Sequence, residues 1–518
     1  MNQCPIMVIS DCPSQSSGLA RITRDLCTLL VGMPEFRVAT LGKYGLGSAR
    51  LPWTQYQMQA DEWGNVSLPL AWDEFSQDQP GIVMTIWDVT RLLWLARPEY
   101  CEDEGLRGWL QDRRRRRFKL WGYVPVDATG PRNRLSTMSK ECLLGFDRLL
   151  AYTPWGMGIV RNTIGEEEAV RRGLDWIGHG INTRTFTPRA ISNRDTRVGS
   201  VRPCTREELE HDEELERLYP LIHATIEEGA IVDLEPQGRV AACDASGVQE
   251  EIGPTLAEAI ADSPAEQTYA KLREMREQGE VMPSAGLQPI REVEGGHGAS
   301  VETSDKVVEM PSVAGGSDGE AVNVKRVGIV MTNQARKDWG LAAATCAGIV
   351  ERLQGDVRFW WHCDTPIRHF SLPALVADFG LGEYMELTTP PMSDQKMAEW
   401  LRACDLTLHT GAEGFGLPIF ESLACGVPAI HGDYAGGASI MASCGLARYL
   451  VQPVAWRLES QHNCLRPVYE PEDWVRTACE VLAIKPDAAW LAGQVSHMSW
   501  MKLGHVWKRY FREGLGNE

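Results

Sequence analysis

Twice along this chain, short apolar runs alternate with amphipathic stretches, and this repeated alternation limits the fold more than any other feature. In the first third the apolar runs fall at 5–10, 37–41, 81–86, 119–126, 148–152 and 174–177. Each reads as a buried strand, and helical patterns lie between several of them. The alternation resumes late in the chain. Strand patterns at 326–332, 356–362, 406–409 and 427–430 are interleaved with helical ones at 339–353, 397–403 and 418–425. Strands alternating with helices bury both faces of a parallel sheet, so each half reads as a doubly wound α/β domain.

Between the halves the composition changes. Residues 201–320 hold 27 Asp or Glu and 9 Lys or Arg, which accounts for the whole chain's net charge of −18. No Trp or Phe occurs from 190 to 324, and Gly-Gly pairs stand at 295–296 and 315–316. Two pieces, 204–218 and 265–279, read as charged helices and the remainder as flexible linker. The expected organisation is a first domain at 1–188, an acidic insertion at 189–324, a second domain at 325–485 and a helical segment at 486–518 that returns to the first domain. Because the acidity belongs to one segment, it does not argue against an anionic substrate elsewhere. No run approaches the ~20 apolar residues of a membrane span. The first residues lack a basic stretch followed by an apolar one, so no signal peptide is expected. The 14 Cys include no C-x-x-C, and buried reduced thiols in a cytoplasmic protein are expected.

The most informative run is GAEGFGLPIFESLACGVPAIHGDYAGG, residues 411–437. It follows a strand pattern, turns through glycines and enters a helix. In an open parallel sheet, ligands sit beyond the carboxyl ends of the strands. The backbone N–H groups of Gly414, Phe415, Gly416 and Leu417 would point there, and a helix N-terminus approached through glycines suits a diphosphate. Glu413 and Glu421 bracket the turn with seven residues between them. A carboxylate accepts paired hydrogen bonds from vicinal hydroxyls, as on a ribose or a sugar ring. Spacing alone leaves a plainer reading open, with Glu413 as a helix cap and Glu421 as a solvated side chain.

The run from Glu413 to Glu421, continuing Ser-Leu-Ala-Cys-Gly-Val-Pro428, resembles the E-x7-E signature of glycosyltransferase family 4, whose members have the GT-B fold of two Rossmann-like domains facing a cleft. The resemblance implies that Glu421 holds the nucleotide ribose and Glu413 sits by the transferred sugar. It also implies that Asn333, Arg336 and Lys337 (in the run NQARKDWG) line the donor diphosphate. By composition alone, such a Lys/Arg pair is a solvated helix start. Gly18, in SSGLAR after the first strand, resembles the family's glycine loop facing the donor phosphates. His179-Gly-Ile-Asn182…Phe186-x-Pro188 resembles the motif that ends the family's first domain, with Asn182 in place of the usual Asp. The resemblance further places a His or Asp at a central strand end of the first domain. Asp127 is the choice here and Asp88 the second candidate, with helix capping as the plainer role for either.

Taken together, the resemblance implies metal-independent hexosyl transfer from a nucleotide diphosphate sugar, UDP-sugar before GDP-sugar, with retained configuration and no further cofactor. The acceptor hydroxyl is not specified. Arg113, Arg115 and Arg117 lie in a basic run, RRRRRFK, which is either a solvated face or a phosphate contact. The second option would admit a hydroxylated base in DNA as acceptor, as in GT-B enzymes of some viruses. A non-catalytic nucleotide-sugar-binding protein and a GT-B phosphorylase or epimerase are further alternatives. A dehydrogenase is disfavoured, because the loop DCPSQSSGLAR lacks G-x-G-x-x-G.

Overall fold

The computed structural model describes residues 3–15, 17–43, 51–58, 63–112, 117–188, 324–389, 391–459 and 464–515. All of them belong to one compact unit, Met1–Leu234 with Ala321–Glu518. The acidic segment, its two expected helices, Arg113 and Arg115 lie outside the described residues.

The first sheet is built from β1 (Cys4–Asp11), β2 (Phe36–Lys43), β3 (Thr54–Gln57), β4 (Gly81–Thr85), β5 (Phe118–Val124), β6 (Arg148–Ala151) and β7 (Asp175–Trp176), in the order β3-β2-β1-β4-β5-β6-β7. Every neighbouring pair is parallel. β4 is buried throughout, and β1 from its second residue onward. A strand covered on both faces needs a continuous apolar run, which is why these two stand out in the sequence.

The second sheet repeats the plan with β8 (Lys325–Val330), β9 (Val357–His362), β10 (Met385–Thr388), β11 (Leu406–His409), β12 (Ala429–Gly432) and β13 (Leu450–Val451), in the order β10-β9-β8-β11-β12-β13. It too is parallel. An antiparallel hairpin, β14 (Ala455–Glu459) with β15 (Cys464–Val468), follows. The sequence reading misses β3, β10 and the hairpin because they are short and half-exposed, so no apolar run marks them.

In both sheets the strand order reverses between the first and fourth strands, β1 and β4 in one, β8 and β11 in the other. Loops leaving the carboxyl ends there diverge to opposite faces and open a crevice. The Trp500–Leu515 helix carries Leu503, Trp507, Tyr510 and Phe511 as a buried stripe at helical spacing. Phe511 stacks on Trp121 of β5 at 5.2 Å between ring centroids, and Trp507 meets Tyr123 edge-on at 5.0 Å. Full burial of a side chain like Phe511 contributes roughly 1.5–3 kcal/mol, enough to fix this helix on the first domain. Among the described residues no helix is long and apolar enough to cross a membrane.

Candidate active site

The crevice of the second domain lies between the loops that leave β8 and β11. After β11 the chain runs Thr410-Gly411-Ala412-Glu413, and after β8 it reaches Arg336 and Lys337 in a short 3-10 turn. The two loops are laced together. Ala412 N donates to Arg336 O at 3.1 Å, Arg336 Nη1 donates to Ala412 O at 2.6 Å, and Thr410 Oγ1 donates to Lys337 O at 2.9 Å. Gly411 permits this approach, since a Cβ there would stand 2.6 Å from Lys337 Cδ. Gly416, at φ +92°, turns the chain into the Leu417–Ala424 helix, a conformation that side chains with a Cβ rarely adopt. Among the described residues, none accepts a hydrogen bond from the N–H groups of Gly414, Phe415 or Gly416.

Lacing the loops brings four charged side chains together. Lys337 Nζ donates to Glu413 Oε1. Arg336 Nη1 lies 3.6 Å from Glu413 Oε2, and Arg336 Nε lies 3.0 Å from Asp127 Oδ2. Asp127 follows β5, so a first-domain carboxylate meets the second-domain cations across the cleft. Burial alone would raise the Glu413 pKa, but Lys337 and Arg336 outweigh it and pull it down to about 2. Burial, reinforced by the neighbouring Arg336, pulls Lys337 down to about 8 against the attraction of Glu413. The pair is therefore ionised at neutral pH, with Glu413 a fixed anion and Lys337 a cation close to titration.

Glu421, one turn into the helix, is 2% exposed. Its partner is Arg21 of the Gly18–Val31 helix, with Nη1 2.5 Å from Oε1. Burial pushes the Glu421 carboxyl up to about 7 although Arg21 pulls the other way. Phe415 is buried against His179 of the exit motif, 4.4 Å between ring centroids. His179 Nδ1 is 2.7 Å from the Tyr123 hydroxyl, and burial lowers its pKa to about 3, so it is a neutral packing residue.

The β14–β15 hairpin closes the far side of Asp127. Arg466 Nη1 donates to Asp127 O at 3.1 Å, and its Nε pairs with Glu459 at 2.8 Å. Leu465 N donates to Thr129 O at 2.7 Å, and the Tyr434 hydroxyl links Thr129 N to Leu465 O at 3.0 and 2.7 Å. A cavity beside Arg336 is lined by Asp338, Thr410, Arg457, Arg466 and Tyr469. Arg21, Arg466 and Tyr434 escape the sequence reading as site residues. Arg21 stands in the SSGLAR motif but carries no spacing signal toward Glu421.

Other sequence-predicted residues are placed differently. Asn333 is fully buried, its amide donating to Thr365 O and Phe370 O at 3.1 and 2.8 Å and accepting from Phe370 N at 3.0 Å. These groups are committed to the loop after β9, so Asn333 clamps that loop. Asp88 is exposed and caps a 3-10 turn, accepting from Thr90 N at 3.3 Å and Thr90 Oγ1 at 3.1 Å. Its plainer role is the one observed. Arg117 precedes β5 and donates to Asp78 O at 2.5 Å. It lies at the amino end of a seven-residue strand, and at ~3.3 Å per residue that is roughly 20 Å from the carboxyl-end crevice. The expected acceptor contact at Arg117 is therefore at the wrong end of the sheet. Gly18 opens the helix capped by Ser17 and faces open space, since a Cβ there would meet nothing within 4 Å.

Residues 325–458 match the family model described as Glycosyl transferases group 1, a span that contains Lys337, Glu413 and Glu421. A D-inositol 3-phosphate glycosyltransferase from Thermobispora bispora is 32% identical over 129 residues, covering 24% of this chain and 26% of that protein. The match thus spans about a quarter of the relative's length. Among solved structures, sucrose-phosphate synthase from Thermosynechococcus elongatus aligns with a TM-score of 0.52 at 13% identity over 99% of both chains. A structure titled trehalose-6-phosphate from E. coli, bound with UDP-2-fluoro glucose, aligns with a TM-score of 0.52 at 11% identity over 99% of both chains. The second domain is thus a glycosyl transferases group 1 domain, on a chain with the GT-B fold.

Proposed function

We propose that this protein transfers a sugar from a nucleotide diphosphate sugar, a UDP-sugar in the first instance, to a hydroxyl acceptor with retained configuration. The observation that carries the reading is the convergence of Lys337, Arg336, Glu413 and Asp127 at one crevice, beside a helix N-terminus and backbone N–H groups with no acceptor among the described residues. The family match over the second domain and a structural relative with bound UDP-2-fluoro glucose support it.

In this reading the diphosphate lies over Lys337, Arg336 and the Leu417–Ala424 helix N-terminus. The bond from the anomeric carbon to the phosphate oxygen breaks, and its electron pair leaves with the diphosphate. Two cations in a low-dielectric site offset that growing charge and need no reorganisation during the step. These cations also take the counter-charge role, so no metal is invoked. Glu413, held ionised, accepts from hydroxyls of the sugar as it becomes oxocarbenium-like. Glu421 accepts from the ribose diol. The acceptor oxygen bonds the anomeric carbon on the face being vacated, and its proton passes to the departing phosphate oxygen.

A thermal-shift screen of the full chain with UDP-, GDP- and ADP-sugars, followed by a donor hydrolysis assay, tests the reading. A raised melting temperature with one nucleotide, and hydrolysis lost in Lys337→Met, is the expected result. No shift with any nucleotide would contradict it.

A further inference from the structure

Glu421 belongs to the second domain, yet its closest charged partner belongs to the first. Arg21 sits one turn into the Gly18–Val31 helix, whose start is fixed by Ser17: its hydroxyl caps Ala20 N at 3.1 Å and donates to Asp11 at 2.5 Å. From there the guanidinium reaches across to Glu421 at 2.5 Å and to Asp394, at the start of the Asp394–Arg402 helix, at 3.3 Å. It also lies over the Phe186 ring, 5.3 Å from its centroid, so the segment that leaves the first domain backs the contact. Asp25, one turn further along the same helix, accepts from Trp500 Nε1 at 3.2 Å. One guanidinium therefore joins four elements, and among the described residues it is the one cation paired with Glu421.

We propose that Arg21 is a positioning residue of the donor site, a first-domain side chain that keeps Glu421 of the second domain in its ionised, acceptor-only form. This rests on the reading of Glu421 as the carboxylate that holds the ribose. A vicinal diol donates two O–H groups. A carboxylate accepts both, whereas a protonated acid brings a donor of its own into the same space. The charged groups facing Glu421 are Arg21 and Asp25 from one helix and Asp394 from another. Burial first, then Asp394 and Asp25, favour the protonated form, and Arg21 opposes them. The carboxyl is raised to about 7, so it is ionised above that pH and loses its charge as the pH falls through it. Removing an opposite charge at this range moves such a midpoint up by roughly 1–3 pH units.

The test is calorimetric titration of the full chain with UDP between pH 6 and 9, comparing wild type with Arg21→Met, Arg21→Lys and Glu421→Gln. The variant-to-wild-type Kd ratio for Arg21→Met is expected to be about fivefold or more at pH 7 and to fall steeply as the pH rises toward 9, as the shifted midpoint implies. Arg21→Lys should recover part of the loss. In a Glu421→Gln background, Arg21→Met should add no pH-dependent change. Taking the ratio at each pH cancels the titration of Lys337, which both proteins share. At saturating donor, kcat should be little changed, because the residue acts on binding. A merely structural role would give a ratio independent of pH, and that result, or a ratio of one throughout, would overturn the proposal. If wild type binds no nucleotide at any pH, the donor-site reading itself fails; wild-type binding with a flat ratio sinks the Arg21 proposal alone.

Discussion

Glu413 and Glu421 are the same residue type at the two ends of one short turn, both largely buried, yet the protein shifts their carboxyls in opposite directions. Glu413 has two cations from its own domain and is pulled down to about 2. Glu421 has one guanidinium from the other domain, with two further carboxylates nearby, and is pushed up to about 7. Burial acts alike on both, so the difference lies in how many cations reach each. One end of the turn carries a fixed charge beside the place where a bond would break. The other carries a charge that depends on pH and on a guanidinium from the other domain.

The largest effect should come from removing the cation that fixes the first end. Lys337→Met is expected to lower kcat roughly 10³-fold, on the scale of losing one preorganised transition-state contact. It should also cost about 3–5 kcal/mol of folding stability, because it strands part of a buried ion pair; chemical denaturation would measure that. A variant with full activity would break the comparison. Next, the two carboxylates should split kinetically. Glu413→Gln is expected to lower kcat about 10²-fold with donor KM nearly unchanged, whereas Glu421→Gln should raise donor KM about tenfold and spare kcat. Steady-state kinetics on both variants sharpens the contrast, and identical patterns would remove it. A smaller effect is the pH profile of kcat at saturating donor. Lys337 is a cation below about 8 and neutral above it, so kcat should fall as pH rises through about 8. Glu413 titrates at about 2 and should add no inflection between pH 4 and 7. An acid limb near pH 4.5 in kcat would contradict its ion pairing. The smallest effect belongs to Arg117→Ala, at the far end of the sheet, where donor KM and kcat should both change less than about twofold.

Much of the fold was legible because the central strands, buried on both faces, write themselves as apolar runs. The edge strand Thr54–Gln57 and the Ala455–Glu459 hairpin arm are half-exposed and leave no such mark. In the candidate site, Lys337, Arg336, Glu413 and Asp127 could be named because each follows a strand that the alternation locates and the resemblance to glycosyltransferase family 4 points to those positions. Asn333 has the same credential and the opposite outcome, since whether its amide faces a ligand or a neighbouring loop is decided by Phe370, far along the chain. Arg117 misled because a basic run shows charge without showing which end of a strand it occupies. Arg21 was hidden for a related reason: its partner Glu421 lies in the other domain, and no local pattern encodes a contact across a cleft.

The most direct measurement is calorimetric titration of UDP, with GDP and ADP in parallel, into the wild-type chain and into Lys337→Met and Glu421→Gln at pH 8. Saturable one-to-one binding to wild type, weakened in both variants, is the result this account predicts. UDP, GDP and ADP all failing to bind wild type, or binding unchanged by either substitution, would contradict it.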